Sequence, residues 1–299
     1  MSYSLYYMLT SRCNLNCKYC FRDASKESID GELSLEEIKS AIDVLYHKFN
    51  VRKITLSGGE PTFLKNNDCS AFVELIEYIK KYKTDDPMTN LRVVLITNAI
   101  LLTEDVARCM IGVVDRVTIT IDAKDNKILE KLGRNNKSNT LYFENSISKI
   151  KMLSRLGFEI KLHSVVSPIN YTDLIELAKH LKTDKELNIV KWKFFQYMTF
   201  GNPNIDKIFD ISNEKYYALE NIIKEELCDS DISIGFKSVS KQEESLFDLL
   251  PNGKFEYITT KEGKIQRALT EKIFEYNGWD DLFSRHPINK EFFYKLHKM

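Results

Sequence analysis

Residues 5–20 read LYYMLTSRCNLNCKYC, an apolar run that leads directly into three closely spaced cysteines. The run Leu5–Thr10 predicts a buried strand, and Cys13, Cys17 and Cys20 follow it in a Cx3Cx2C pattern. Three thiolates on one loop can bind three irons of a [4Fe-4S] cluster and leave the fourth iron open to an external ligand. A structural zinc ion, the alternative, takes four ligands at paired spacing, and no further Cys or His forms such a pair nearby. The stretch therefore favours an iron–sulfur loop over zinc or a fortuitous surface cluster.

Outward from this loop, segments typical of strands and of helices alternate along the chain. The predicted strands are Leu5–Thr10, Lys53–Ser57, Leu91–Asn98, Arg116–Asp122, Glu159–Val166 and Lys191–Tyr197. The predicted helices are Ser34–Phe49, which begins with a capping box of Ser34 and Glu37, then Asp68–Lys81, Thr103–Met110, Leu141–Leu156 and Thr172–Leu181. Five strands in succession that are each followed by a helix imply parallel strands with right-handed crossovers. We therefore expect an α/β fold, a partial (β/α)6 barrel over residues 1–200.

The rhythm changes in the last hundred residues. We predict helices over Asn213–Leu227 and Lys264–Tyr276, and short strands near Ile232–Ile234 and Lys254–Ile258. Residues 201–299 are therefore expected to form a small C-terminal extension that caps the mouth of the barrel.

Alternation within the strands predicts what fills the barrel. One face is apolar and suits packing against helices, whereas the other face carries hydroxyl, carboxylate and basic side chains. The candidates for the interior include Lys161, His163, Lys191 and Lys193, although buried lysines are rare unless they are paired. The pattern indicates a wet lumen that accepts anions. The alternative is that the assumed phase is off by one residue, or that the lysines reach past the strand ends to water.

A second motif, Ser57-Gly58-Gly59-Glu60-Pro61, follows the second predicted strand. Together with the Cx3Cx2C run and the aromatic Tyr19 before the last cysteine, it resembles the radical S-adenosylmethionine (SAM) superfamily. The resemblance implies a [4Fe-4S] cluster on Cys13, Cys17 and Cys20, and SAM bound to the cluster's open iron. The one-electron cleavage of SAM in that superfamily yields a 5′-deoxyadenosyl radical. The residues implied to bind SAM are Ser57, Gly58, Gly59, Glu60, Asn98, Thr120, Asp122 and Arg134.

Further segments resemble the viperin-like enzymes within this superfamily. Gly133-Arg134, the strand around Lys161 and the segment Val190–Gln196 carry the likeness. It implies conversion of a ribonucleoside triphosphate to its 3′-deoxy-3′,4′-didehydro analogue, an antiviral chain terminator, with a flavodoxin- or ferredoxin-type protein as electron donor. The resemblance implies substrate contacts at Lys161, Lys191 and Lys193, and His163 is a further candidate contact because the strand alternation points it into the lumen. The chain departs from the family pattern at His163, Lys191, Leu246 and Leu250, so the identity of the base stays open.

The composition of the chain excludes some classes of protein. The 43 basic residues balance 43 acidic ones, which argues against general binding to nucleic acid. No apolar run reaches about 18 residues and no signal peptide pattern begins the sequence, so we expect a cytoplasmic protein without membrane contact. Two other hypotheses stay open. One is a radical SAM enzyme that acts on a peptide or another small molecule, and the other is a non-catalytic iron–sulfur or zinc protein that serves as an interaction scaffold.

Overall fold

The computed structural model describes residues 1–20, 31–65, 68–134, 141–199, 203–243, 247–261 and 264–299. Ten strands in these ranges form one sheet. The strands are β1 Tyr3–Met8, β2 Val51–Ser57, β3 Arg92–Thr97, β4 Arg116–Thr120, β5 Glu159–Val166, β6 Ile189–Gln196, β7 Ser233–Lys237, β8 Phe247–Leu249, β9 Lys254–Lys261 and β10 Lys264–Lys272. Their order across the sheet is β10-β9-β8-β1-β2-β3-β4-β5-β6-β7. Strands β1 to β6 are parallel neighbours in sequence order, and the sheet does not close on itself, which confirms the predicted partial barrel.

Helices follow each of the first five parallel strands, and further helices lie in the last third of the described chain. They are α1 Leu35–His47, α2 Ser70–Ile79, α3 Glu104–Met110, α4 Asn126–Lys131, α5 Tyr142–Arg155, α6 Tyr171–Thr183, α7 Pro203–Phe209, α8 Asn213–Glu226, α9 Val239–Glu243, α10 Trp279–Arg285 and α11 Lys290–His297. The predicted capping box of α1 is present, because Ser34 Oγ accepts from the amide of Glu37 and the Glu37 carboxylate accepts from the amide of Ser34. Within the described ranges, no helix has the length and apolar character needed to span a bilayer.

The predicted phase of the strands is correct. The outward residues Ile54, Val117, Ile119 and Leu162 are each at most 1% exposed, since they pack between the sheet and its helices. The opposite face of the same strands carries the polar side chains. This arrangement places the lysines of β5 and β6 on the inner, concave side of the sheet.

The C-terminal hundred residues extend the sheet at both edges. Strand β7 pairs in parallel with β6, and β8 pairs in parallel with β1. The helix predicted over Lys264–Tyr276 is wrong, because this segment forms β10 and then a single 3₁₀ turn, Ile273–Glu275. Its Lys, Gln, Arg, Ala, Leu and Glu residues favour a helix locally, but an antiparallel ladder with β9 overrides that preference.

The predicted boundary after residue 200 and the departure at Leu246 lie outside the described residues. That the C-terminal extension caps the mouth of the barrel stays a prediction. Its last helices contact the first strands and the residues beside them, where Trp279 Nε1 donates to the carbonyl of Phe49 at 2.7 Å. A bridge between Tyr3 and Lys298 joins the chain's last residues to β1.

Candidate active site

The glycine pair after β2 lies directly against the cysteine loop. A side chain at Gly59 would place its Cβ 2.2 Å from the carbonyl oxygen of Arg12, and one at Gly58, where φ is +140°, would lie 2.4 Å from that of Thr10. The amide of Gly59 donates to the Thr10 carbonyl and that of Glu60 to the Arg12 carbonyl, both at 2.8 Å. Only glycine leaves room for this contact. The pair therefore fixes where the loop begins, and its contact with SAM stays a prediction.

The far side of the cysteine loop rests on the turn that follows α4. Gly133 has φ +78°, and a Cβ there would lie 2.3 Å from the carbonyl oxygen of Asn16. The amide of Lys18 donates to the carbonyl of Leu132 at 3.0 Å. The loop is thus held between two glycine turns, one after β2 and one after α4, which leaves its backbone little freedom.

The three thiols of the loop suit a cluster of several irons. Cys13, Cys17 and Cys20 are partly buried and unpaired, and burial raises the pKa of Cys13 to about 12 and that of Cys17 to about 11. Iron binding must therefore displace their protons. Within the described residues, no three Cys, His, Asp or Glu side chains converge on one point as ligands of a single ion would. In a [4Fe-4S] cluster each cysteine binds a different iron, so the residues present fit that group.

Glu60 joins the ends of β2 and β3. Its carboxylate is buried, and its Oε1 accepts from the Thr62 amide at 3.1 Å, the Thr62 hydroxyl at 2.6 Å and the Thr97 hydroxyl at 2.7 Å. Its Oε2 accepts from the Asn98 amide at 2.7 Å. The protein's own donors therefore occupy most of the hydrogen-bond acceptor positions of this carboxylate. An ionised carboxylate offers about four acceptor positions, which leaves capacity on Oε2 for one further donor such as an ammonium group.

Arg134 and Asp122 form a buried ion pair at the ends of β4 and α4. Arg134 Nη2 lies 2.6 Å from Asp122 Oδ2, with the two side chains 7% and 0% exposed. Arg134 Nε donates to the same oxygen at 2.8 Å, and Nη1 donates to Thr120 Oγ1 at 3.0 Å. The hydroxyl of Tyr19, in the cysteine loop, donates to Asp122 Oδ2 at 2.6 Å and accepts from Arg134 Nε at 2.7 Å. The geometry brings three of the predicted SAM contacts together and ties them to the cysteine loop.

Replacing Asp122 by alanine should lower the free energy of unfolding by about 3–5 kcal/mol, because it leaves the buried guanidinium of Arg134 without its counter-ion. Urea unfolding of the purified chain measures this loss. A matched control is Glu104→Ala, which breaks an exposed pair with Arg108 on α3 and should cost no more than about 0.5 kcal/mol. A loss of similar size in both variants would contradict the structural role assigned to Asp122.

The remaining predicted SAM residues lie at the same edge of the sheet. Asn98 is buried, and its Nδ2 donates to Asn14 Oδ1 at 2.7 Å and lies 3.9 Å from Cys13 Sγ. Ser57 is half-buried at the end of β2. The sequence analysis did not identify Asn14 or Tyr142. The hydroxyl of Tyr142 donates to the carbonyls of Asn98 and Thr120 at 3.3 Å. No local pattern marks these two, since their roles exist only once distant strand ends meet.

The predicted lysines occupy the inner face of β5 and β6. Lys161 pairs across the ladders with Lys191 on one side and Thr118 on the other, and His163 pairs with Lys193. Burial, together with the neighbouring charges of Lys193 and Lys191, lowers the pKa of Lys161 to about 7. Burial and the same kind of repulsion also lower the pKa of Lys193. Several lysine side chains therefore lie close together where little water screens the repulsion between their charges.

A cavity of about 500 Å³ opens on this inner face. Its lining includes two of the predicted contacts, His163 and Lys193, and it reaches Tyr19 of the cysteine loop. Burial and the charges of Lys161 and Lys193 hold the pKa of His163 well below its ordinary value, so its imidazole is neutral. Sequence reasoning did not find the other polar residues that line the cavity, Ser4, Tyr6, Gln196, Tyr197, Lys237, Gln242, Asp248 and His297. Strand β7 brings Lys237 to the cavity, and strand β8 brings Asp248. A strand near β7 was predicted from the sequence, whereas none was predicted at the position of β8.

Comparison with known proteins agrees with this arrangement. The sequence profile described as the radical SAM superfamily matches residues 7–181. A GTP 3',8-cyclase of Staphylococcus haemolyticus is 27% identical over 203 residues, which are 66% of this chain and 54% of that protein. An AdoMet-dependent heme synthase of Methanosarcina barkeri is 34% identical over 195 residues, which are 64% of this chain and 50% of that protein. The chain thus spans about half the length of these curated relatives.

Two solved structures share the fold. Native anSMEcpe with bound AdoMet superposes with a TM-score of 0.69 at 17% identity, over 97% of this chain and 82% of that one. SuiB of Streptococcus suis bound to S-adenosylmethionine superposes with a TM-score of 0.63 at 14% identity, over 84% and 59%. Proteins of the matched superfamily use a [4Fe-4S] cluster and SAM. Because the profile match covers more than half of its residues, this chain belongs to the radical SAM superfamily.

Proposed function

We propose that this radical SAM enzyme converts a ribonucleoside triphosphate to its 3′-deoxy-3′,4′-didehydro analogue. When bound, the cluster and SAM supply a 5′-deoxyadenosyl radical, which removes a hydrogen atom. The nucleotide would give up a hydrogen atom at C4′ and hydroxide at C3′, and one electron from the reductant would close the C3′=C4′ bond. Its net change is then the loss of the atoms of one water molecule. A flavodoxin- or ferredoxin-type protein is the proposed source of electrons.

The observation that carries this proposal is the cationic inner face of β5 to β7. Lys161, Lys191 and Lys193 project from β5 and β6, and burial lowers the pKa of Lys161 and Lys193. Burial also lowers the pKa of Lys237 on β7, where the carboxylate of Asp248 acts in the opposite direction. Bringing ammonium groups together in a space with little water is unfavourable unless an anion binds them. A triphosphate would remove that cost through charge-assisted hydrogen bonds.

Unpartnered polar atoms on the same face support a ligand there. Thr118 Oγ1, opposite Lys161 in the ladder, is buried and has no hydrogen-bond partner within the described ranges, and the same holds for His163 Nε2. A buried polar group without a partner costs about 1–3 kcal/mol. Phosphate or ribose oxygens would satisfy both atoms. His163, a departure from the viperin pattern, would then contribute a neutral imidazole to the substrate site.

The residues proposed to bind the cofactors and those proposed to bind the substrate lie at two different heights along the strands. Cys13, Cys17 and Cys20 would hold the cluster, and Glu60, Asn98 and Arg134 with their neighbours would bind SAM, all at the carboxyl ends of the strands. Lys161 lies two residues below His163 on β5, which is about 6–7 Å at 3.3 Å per residue. Phosphates bound at this lower level would leave the ribose between the lysines and the SAM level. The chain would thus hold C4′ towards the radical and exclude water from it.

Incubation of the reconstituted, reduced enzyme with SAM and each ribonucleoside triphosphate tests this proposal. At least one triphosphate should raise the rate of 5′-deoxyadenosine formation about tenfold or more, because the enzyme spends binding energy on positioning the hydrogen. The unphosphorylated nucleoside is the matched control and should give no increase. Deuterium at C4′ should appear in 5′-deoxyadenosine, and the product mass should fall by one water.

The relatives named GTP 3',8-cyclase make a nucleotide cyclisation the competing reaction. An intramolecular cyclisation that returns the hydrogen would leave the product mass equal to that of the substrate, so mass spectrometry separates the two reactions. Unchanged product mass, or deuterium retained at C4′, would reject the dehydration. Turnover of a peptide alone would reject the nucleotide proposal as a whole.

A further inference from the structure

The hydroxyl of Tyr19 joins the cysteine loop to the buried guanidinium of Arg134. Tyr19 lies between Cys17 and Cys20 and is 6% exposed. Its oxygen accepts from Arg134 Nε at 2.7 Å, and it donates its own proton to Asp122 Oδ2 at 2.6 Å. Any movement of the loop therefore changes the surroundings of the Arg134 side chain.

Asp122 alone does not fix the orientation of this guanidinium. A carboxylate holds the plane of an arginine side chain when two parallel bonds join them, one to each carboxylate oxygen. Here Arg134 Nε, at 2.8 Å, and Nη2, at 2.6 Å, both contact the same oxygen, Asp122 Oδ2. The other oxygen, Oδ1, accepts from the amide of Val165 at 2.7 Å. The guanidinium could therefore turn about Oδ2 unless other groups held it.

Tyr19 and Thr120 supply the further contacts that hold the guanidinium. The Tyr19 oxygen contacts Arg134 Nε, and Thr120 Oγ1 accepts from Nη1 at 3.0 Å. A guanidinium carries five N–H donors, and the contacts within the described residues engage Nη1 and Nη2 once each. One donor on each terminal nitrogen is thus left for a ligand. The direction of these two donors depends on how firmly the plane of the guanidinium is held.

We propose that Tyr19 is a positioning residue for SAM binding, whose hydroxyl holds the guanidinium of Arg134 so that its remaining donors meet acceptor oxygens of SAM. The inference rests on the predicted contact between Arg134 and SAM, and it is independent of the proposed nucleotide substrate. The resemblance to the superfamily implies an aromatic ring at Tyr19 and gives its hydroxyl no role. Because the cysteines lie on the same loop as Tyr19, the SAM site would be complete only when this loop is in place.

Tyr19→Phe tests this role because it removes the hydroxyl and keeps the ring, which packs beside that of Phe209 with centroids 5.7 Å apart. SAM binding is measured at equilibrium on the oxidised, cluster-loaded protein without substrate. The affinity should fall about three- to tenfold, the range expected for the net contribution of one hydrogen bond. The iron and sulfide content should stay at the wild-type level.

Tyr216→Phe is the matched control. Tyr216 lies on α8, is fully buried and donates through its hydroxyl to the carbonyl of Phe194 at 2.9 Å. Both variants lose a buried hydroxyl and its hydrogen bond, but Tyr216→Phe should keep the wild-type affinity for SAM. A loss confined to Tyr19→Phe separates positioning of Arg134 from a general loss of stability.

A double-mutant cycle shows whether Tyr19 acts through Arg134. Arg134→Ala should weaken SAM binding by about 10- to 100-fold if it removes a charge-assisted bond. Adding Tyr19→Phe should then change the affinity by less than about twofold, because no guanidinium is left to orient. If Arg134→Ala fails to fold, Arg134→Lys keeps a counter-ion for Asp122 but lacks the planar fork, and the same result is expected in that background.

Wild-type affinity for SAM in Tyr19→Phe would overturn the inference, as would an equal loss in Tyr216→Phe. A further loss of about three- to tenfold when Tyr19→Phe is added to the Arg134 variants would also overturn it, since Tyr19 would then act independently of Arg134. Unchanged affinity in the Arg134 variants would remove Arg134 from the SAM site, and the inference with it. No nucleotide is present in these measurements, so a failure of the proposed function is a separate result.

Discussion

Replacing Cys13, Cys17 and Cys20 together by alanine is expected to abolish iron binding and all SAM cleavage. The wild type should hold about four irons and four sulfides per chain after anaerobic reconstitution. The variant loses every thiolate on the loop after β1, and no other cluster of metal-ligating side chains occurs within the described ranges to replace them. Iron and sulfide analysis, visible absorption and 5′-deoxyadenosine formation measure the loss.

The matched control replaces the other three cysteines. Cys69, Cys109 and Cys228 form no disulfide and lie in or beside helices, outside the loop segment. Their alanine variant should therefore keep the wild-type iron content and absorption. A fully loaded cluster in the loop variant would contradict the assignment, as would stoichiometric zinc without iron in the wild type.

Replacing Lys161 and Lys193 together by alanine is expected to remove most of the stimulation of SAM cleavage by nucleoside triphosphate. Each lysine is proposed to make a charge-assisted hydrogen bond to phosphate, worth about 1.5–3 kcal/mol, so the double variant should bind triphosphate about 10²- to 10⁴-fold more weakly. Equilibrium binding and kcat/KM measure the effect. Lys215→Ala, an exposed lysine of α8, is the control and should behave as the wild type. Undiminished triphosphate binding in the double variant would remove the lysines from the substrate site.

The pH dependence of triphosphate binding offers a check on Lys161 alone. In the empty protein the pKa of Lys161 is lowered to about 7 by burial and by Lys193 and Lys191, so above that pH the group is increasingly neutral. A bound polyanion favours the charged form, so binding takes up a proton and should weaken between about pH 7.5 and about pH 9. The loss should approach tenfold per pH unit. Lys161→Arg stays charged over this range, so this variant should lose the part of the pH dependence that Lys161 contributes.

Local sequence patterns were sufficient for the barrel strands and for the cysteine loop. Strand β5 runs from Glu159 to Val166, as its alternation predicts, and the phase of β2, β4 and β5 is correct because buried and inward residues alternate with a period of two. The loop with Cys13, Cys17 and Cys20 and the glycine pair at Gly58 are also local features. Each motif follows its own strand directly, so parallel pairing of β1 and β2 was enough to bring them together.

Contacts between distant segments could not be predicted in this way. The conversion of Lys264–Lys272 into a strand depends on its partner β9, because helix propensity is weaker than a complete ladder of hydrogen bonds. Glu60 was expected to bind a ligand, yet its carboxylate is largely occupied by Thr62, Thr97 and Asn98. The alternation of residue types along one strand cannot predict these hydrogen-bond partners, since they come from the ends of different strands.

The sequence by itself determined the chemistry that this protein contains, namely the three thiols, the glycine turn and the lysines of β5 and β6, because each is set by residue type and local spacing. Only the tertiary structure decided which of the functional side chains contact one another or line the same cavity. It tied Tyr19 to the ion pair of Asp122 and Arg134, and it brought Asp248 and His297 to the cavity from the last third of the chain. The physical reason is that hydrogen bonds and electrostatic interactions act over a few ångströms in space, whatever the separation of their partners along the chain.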